Sequence, residues 1–172
     1  YKEELLGPRP QYVEISPNNH FMYVGPSKYK PLGWSRPTTK ADKTYREWKE
    51  HAYVADSEST PEDEHWYFRL IACGDGGCEP GPHAPEYLFD ELPFFQPKPS
   101  LYMLDPSEQK GIHCRFGMRG VISENHFDGG RNSIVVLGGQ RRYILSHPDQ
   151  CRNMALFPMG HPSARHSAVD WC

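Results

Sequence analysis

The chain has 172 residues, with 19 Lys and Arg against 22 Asp and Glu, for a net charge of -3. That balance supplies no concentrated basic face for nucleic acid, and no apolar run approaches the roughly 20 residues a membrane-spanning helix needs. Seventeen prolines, fifteen glycines and 13% aromatic residues favour short strands, turns and ordered loops over a helical bundle.

Residues 11–16 (QYVEIS) and 20–25 (HFMYVG) read as short strands around the turn PNN. Residues 38–54 (TTKADKTYREWKEHAYV) read as a helix, because Tyr45, Trp48 and Ala52 recur at i, i+3 and i+7; Thr39 or Asp42 is the expected cap. Residues 55–64 form an acidic, turn-rich link, and residues 65–72 (HWYFRLIA) form an aromatic-rich strand. The stretch CGDGGCEPGPHAP is a loop, and EYLFDELPFF reads as a short helix ending before Pro93.

From residue 100 onward the character changes. GIHCRFGMRG (111–120), VISENHFD (121–128), NSIVVLGG (132–139) and RRYILSH (141–147) are strand-like runs separated by glycine or polar turns, a spacing that suggests an all-β sandwich or barrel. The expected organisation is a mixed α/β extension over residues 1–100 packed on a β domain over 101–172.

Five cysteines occur without a CxxC pair, which argues against a zinc ribbon and for free thiols in a reducing compartment, cytoplasmic or nuclear. A disulfide between Cys73 and Cys78 is the minor alternative. The chain begins with Tyr1 and closes on SAVDWC, so it is expected to be an internal piece of a longer protein.

Within SENHFDGGRN, His126 and Asp128 lie two apart, which on a strand puts both side chains on one face. An imidazole and a carboxylate are two of the three ligands of a facial triad for non-haem Fe(II). A surface His–Asp pair is the bland alternative for so short a motif.

The segment from FGMRG to SAVDW resembles the cupin-like JmjC oxygenases, the group that includes the asparaginyl hydroxylase of hypoxia-inducible factor. The resemblance rests on the HxD strand, Asn132 four residues after the aspartate, a strand followed by GGQRR, then ILSHPDQ and HPSARHSAVDW. It covers residues 111–172 closely and the N-terminal half weakly, where KTYREWKEH and HWYFRLIA fall in the family's usual order.

The resemblance implies a double-stranded β-helix, or jelly roll, incomplete at its C-terminal end, that binds Fe(II) and 2-oxoglutarate. The cosubstrate would leave as succinate and CO₂ as a substrate C–H bond is hydroxylated or a methyl group removed, the substrate being a protein or peptide side chain. His126 and Asp128 become the iron ligands. The carboxylate at position 128 argues against halogenation, which needs a small residue there to admit chloride. Arg141 becomes the partner of the distal cosubstrate carboxylate, where the family commonly has lysine; Arg142 is the competing candidate. Asn132, Tyr67 and Ser123 become cosubstrate contacts, each with an ordinary alternative: a turn residue, a core aromatic, a strand hydroxyl.

The family's second iron histidine follows a GDxLxxPxxWxH pattern that this sequence does not contain, so the third ligand is expected beyond Cys172. His147, His161 and His166 are the internal substitutes. Residues 1–172 alone are therefore expected to bind iron weakly and turn nothing over. Two further readings stay open: a jelly-roll binding module without turnover, and a zinc-binding cupin.

Overall fold

The structure is a computed structural model that describes residues 8–27, 29–73 and 111–169; it is rich in β-structure, with one α-helix and one 3-10 helix among those residues. No described helix is long and apolar enough to cross a membrane. The expected loop at 73–85, the helix at 86–95 and the boundary near residue 100 lie outside the described residues. So do Cys78 and Cys172, whereas Cys114 and Cys151 carry free thiols.

The described residues form two compact units that interleave in sequence: residues 8–19 with 39–73 and 111–121, and residues 20–27 and 29–38 with 122–169.

The first unit is built on an antiparallel sheet. Its strands are β1 (Gln11–Ser16), β3 (Thr39–Lys43), β4 (His65–Cys73) and β5 (Ile112–Gly117), in the spatial order β3-β1-β4-β5. β1 pairs with β4 so that Val13 faces Phe68 and Glu14 faces Tyr67, and β4 pairs with β5 so that Arg69 faces Arg115. Alternation then sorts the side chains into two sets. Val13, Ile15, Trp66, Phe68, Leu70, Cys114 and Phe116 join Trp48 and Ala52 of the helix in one hydrophobic cluster. Tyr12, Glu14, Tyr67, Arg69 and Arg115 belong to the opposite face.

Helix α1 (Tyr45–Glu58) lies against the apolar face through Trp48 and Ala52, both buried, with Tyr45 and Ala55 beside them. The heptad-like spacing seen in the sequence is its buried stripe. The expected cap is corrected: neither Thr39 nor Asp42 starts the helix, because Thr39–Lys43 pairs with β1 as a strand. Thr44 is the cap. Its hydroxyl accepts the Glu47 N–H at 3.2 Å, and the Glu47 carboxylate accepts the Thr44 N–H at 2.8 Å. This reciprocal capping box satisfies two donors that the first turn leaves open. The Glu47 carboxyl is held below its ordinary pKa, chiefly by the Thr44 backbone hydrogen bond.

In the second unit, β2 (His20–Phe21) and β6 (Ile122–Ser123) form a two-residue parallel pair. Isolated bridges join His126 to His166 and Leu156 to Ser167, and a 3-10 helix spans Pro148–Met154 behind an N-terminal His147 cap. Here the strand expectations shrink. Residues 20–25 and 121–128 give strands of two residues each, and residues 132–147 form no ladder among the described residues. A strand exists only where backbone donors and acceptors find a neighbour. The apolar side chains of this stretch, Ile134, Leu137, Ile144 and Leu145, stand exposed.

Candidate metal centre

β6 leads directly into the HxD segment. The N–H of Glu124 donates to the Phe21 carbonyl at 3.0 Å, so pairing with β2 extends to the residue after the strand. The Glu124 carboxylate meets His20 Nδ1 at 2.5 Å, a second tie between the same two segments.

His126 follows. Its Nδ1 lies 2.6 Å from the Glu124 carbonyl oxygen. A carbonyl only accepts, so Nδ1 must carry the proton, and in the neutral ring Nε2 is left with its lone pair. This is the arrangement found in histidines that bind metals, where a backbone carbonyl on one nitrogen fixes the tautomer and aims the other. The backbone around it is fixed as well. Phe127 N–H donates to the Arg165 carbonyl at 3.2 Å and Ser167 N–H to the Asn125 carbonyl at 2.9 Å, so the segment is held against residues 165–167. The His126 side chain itself is solvent-exposed.

Asp128 is held from both sides. Asn132 Nδ2 donates to Oδ2 at 2.6 Å, and Arg165 Nη1 donates to Oδ1 at 3.2 Å. The same Arg165 nitrogen donates to the Phe127 carbonyl at 3.1 Å. Arg165 adopts a left-handed backbone, φ 75°, which a side chain with a Cβ occupies at some cost. The contacts of its guanidinium, with Asp128, with Phe127 and over the Tyr23 ring at 5.9 Å, offset that cost.

Asn132 thus closes the DGGRN turn onto the Asp128 carboxylate. Ser123 sits in β6 opposite Phe21 with an exposed side chain. Arg141 and Arg142 stand in the exposed stretch after Gly139. Tyr67 belongs to the first unit, where it is buried on β4 with the Arg69 guanidinium 5.5 Å from its ring.

The three internal substitutes for the third ligand are each otherwise engaged. The His166 ring stacks on His126 with centroids 5.0 Å apart, but it is buried and uses both nitrogens. Nε2 accepts the Tyr23 N–H at 3.3 Å, and Nδ1 donates to the Ala164 carbonyl at 3.4 Å. Burial, and secondly the neighbouring His126, push the His166 pKa below its ordinary value, which favours this neutral ring. His161 packs face to face on Phe157 at 4.3 Å, and its Nδ1 accepts the Ser163 N–H at 3.0 Å. His147 accepts the Asp149 N–H as a helix cap. Among the described residues, no three His, Cys, Asp or Glu side chains gather to hold a metal ion. His126 and Asp128 therefore offer two donors of the kinds an Fe(II) site uses, but not a complete set.

Sequence reasoning missed two close neighbours of the candidate site. Glu124 supplies the carbonyl that fixes the His126 tautomer, and Arg165 pairs with Asp128 from 37 positions away; neither residue type nor spacing marks them. No protein-family model matches the chain.

Proposed function

We propose that this chain is part of an Fe(II)- and 2-oxoglutarate-dependent oxygenase of the cupin-like JmjC type, acting on a protein or peptide side chain. The observation that carries the proposal is the fixed tautomer of His126, which presents Nε2 two residues from a carboxylate that is itself oriented. The shared motifs from HxD through HPSARHSAVDW support the same reading. When bound, Fe(II) with 2-oxoglutarate and O₂ supplies the oxidation, the cosubstrate leaving as succinate and CO₂.

The chain's own residues have defined tasks in this proposal. Glu124 keeps His126 in the metal-binding tautomer through its backbone carbonyl. Asn132 holds one oxygen of Asp128 and so orients the carboxylate. Arg141 pairs with the distal carboxylate of 2-oxoglutarate, for which a guanidinium fork is suited. A second histidine from outside the described residues completes the ligand set. The jelly roll of this proposal would need the exposed apolar runs at 134–137 and 143–145, which form no ladder among the described residues, to pair as strands.

One observation favours a second reading, a binding module without turnover. Arg165 already neutralises Asp128, and a cation there competes with a metal. Succinate formation by the intact protein separates the two. The oxygenase reading requires 2-oxoglutarate turnover that His126→Ala and Asp128→Ala abolish. Turnover that survives both substitutions would place the chemistry elsewhere, and absence of turnover with retained ligand binding would favour the module.

A further inference from the structure

The face of the first unit's sheet that lies opposite α1 carries an imbalance of charge. Arg69 on β4 and Arg115 on β5 are direct cross-strand partners. Like charges in that position oppose pairing unless something between them carries the opposite sign. One carboxylate is close at hand: Glu14 on β1, whose side chain is 3% exposed and accepts from Arg69 Nη2. Arg69 also lies over the rings of Tyr12 and Tyr67, each 5.5 Å from its guanidinium carbon. Its Nε–H is buried and has no hydrogen-bond partner among the described residues. Arg115 donates to the Cys114 carbonyl at 3.4 Å, a long bond to its own chain neighbour.

Two guanidinium groups bring ten N–H donors, and the described residues give them a carboxylate oxygen and a peptide carbonyl as acceptors. Desolvation, and secondly the Arg69 charge, hold the Arg115 pKa below the ordinary arginine value, as expected of a cation facing a cation. Solvent still reaches the Arg115 side chain, so the pair is open to a ligand from that end.

We propose that Arg69 and Arg115 form a binding site for a small oxyanion, a carboxylate or a phosphate, on the sheet face opposite α1. The anion bridges the two guanidiniums, with Glu14 fixing Arg69 and the aromatic rings of Tyr12 and Tyr67 shaping one side. This site belongs to the first unit, whereas His126 and Asp128 belong to the second, and the proposal does not depend on the oxygenase reading.

The test is an NMR titration of the 172-residue chain with succinate and, separately, inorganic phosphate, at constant ionic strength set with chloride. The arginine Nε–Hε signals are the readout. Saturable shifts of Arg69 and Arg115 with one or both anions are expected, and the stronger of the two identifies the chemistry preferred. Arg115→Gln should weaken binding about tenfold or more, because it removes a charge-assisted contact, while Arg115→Lys, which keeps the charge, should retain part of the affinity. Backbone spectra of both variants establish that the sheet is intact; if Arg115→Gln disturbs it, Arg115→Lys against the unaltered chain decides by the same signals. Absence of saturable shifts with either anion, or equal affinity in the unaltered chain and the folded variants, means an adventitious ion only and overturns the proposal.

Discussion

Phe68→Ala should cost the first unit about 4 kcal/mol. Phe68 is fully buried at the centre of the cluster formed by β1, β4, β5 and α1. Its ring meets Tyr45 and Phe116 edge to face, both at 5.7 Å, and Trp48 at a tilt at 6.0 Å. Truncation of a buried phenylalanine typically costs about 3–5 kcal/mol, the transfer of the ring plus the cavity it leaves. Each aromatic contact contributes about 0.5–1.5 kcal/mol beyond area, and three contacts place this site in the upper half of that range. Since domains are stable by about 5–15 kcal/mol, the loss is a large fraction of the total and should shift the unfolding midpoint clearly. Urea denaturation followed by far-ultraviolet circular dichroism and by tryptophan fluorescence measures this, because Trp48 and Trp66 belong to the same cluster. Phe68→Leu, which fills most of the volume, should lose about half as much. A loss below about 1.5 kcal/mol for Phe68→Ala at an unchanged denaturant slope would refute the packing described for this strand, and with it the placement of Tyr67 and Arg69 on the opposite face.

The capping box makes a second prediction: Thr44→Ala should lower stability by about 1 kcal/mol, read from the urea midpoint. Because the Glu47 carboxyl is held below its ordinary pKa in the folded chain, its contribution is present above the unfolded value of 4.5 and is lost as pH falls through the lower folded value. Helix signal at Tyr45–Glu58 should therefore weaken on acidification below that range, and Glu47→Gln should flatten this dependence; an unchanged acid profile in the variant would refute the assignment. At the candidate metal centre, Asn132→Ala should lower metal affinity by about tenfold or more, in the range that outer-shell partners of metal ligands usually contribute, measured by competition with a chelator. Arg141→Ala should weaken 2-oxoglutarate binding while leaving metal affinity in place; unchanged cosubstrate affinity would shift the role to Arg142 or another residue.

The elements that were legible in the sequence are those whose pattern matches a local physical rule. QYVEIS and HWYFRLIA became β1 and β4, because alternation and aromatic content describe a half-buried pleated surface. The i, i+3, i+7 spacing of Tyr45, Trp48 and Ala52 marked the buried stripe of α1, but not its start. Thr39 and Asp42 are capping residue types placed in a strand, and only the pairing of β3 with β1, a long-range contact, makes Thr44 the cap. The runs NSIVVLGG and RRYILSH have strand composition, yet the described structure gives them no ladder partner, and composition alone does not supply one. At the site, the HxD spacing and the asparagine after it were visible, but the bond from Asn132 to Asp128 was not among the roles expected for it, a cosubstrate contact or a turn residue. The Glu124 carbonyl and the Arg165 guanidinium were not visible, since backbone acceptors and contacts across 37 residues leave no mark in a local motif.

Manganese(II) titration of the 172-residue chain, followed by paramagnetic broadening of the histidine ring signals, tests the central claim most directly. Mn(II) stands in for Fe(II) because it prefers similar oxygen and nitrogen donors and stays in one oxidation state under air. The account predicts weak binding that broadens His126 first, is lost in Asp128→Ala, and is strengthened by 2-oxoglutarate. Broadening that centres on other histidines, or that persists unchanged in Asp128→Ala, would contradict it.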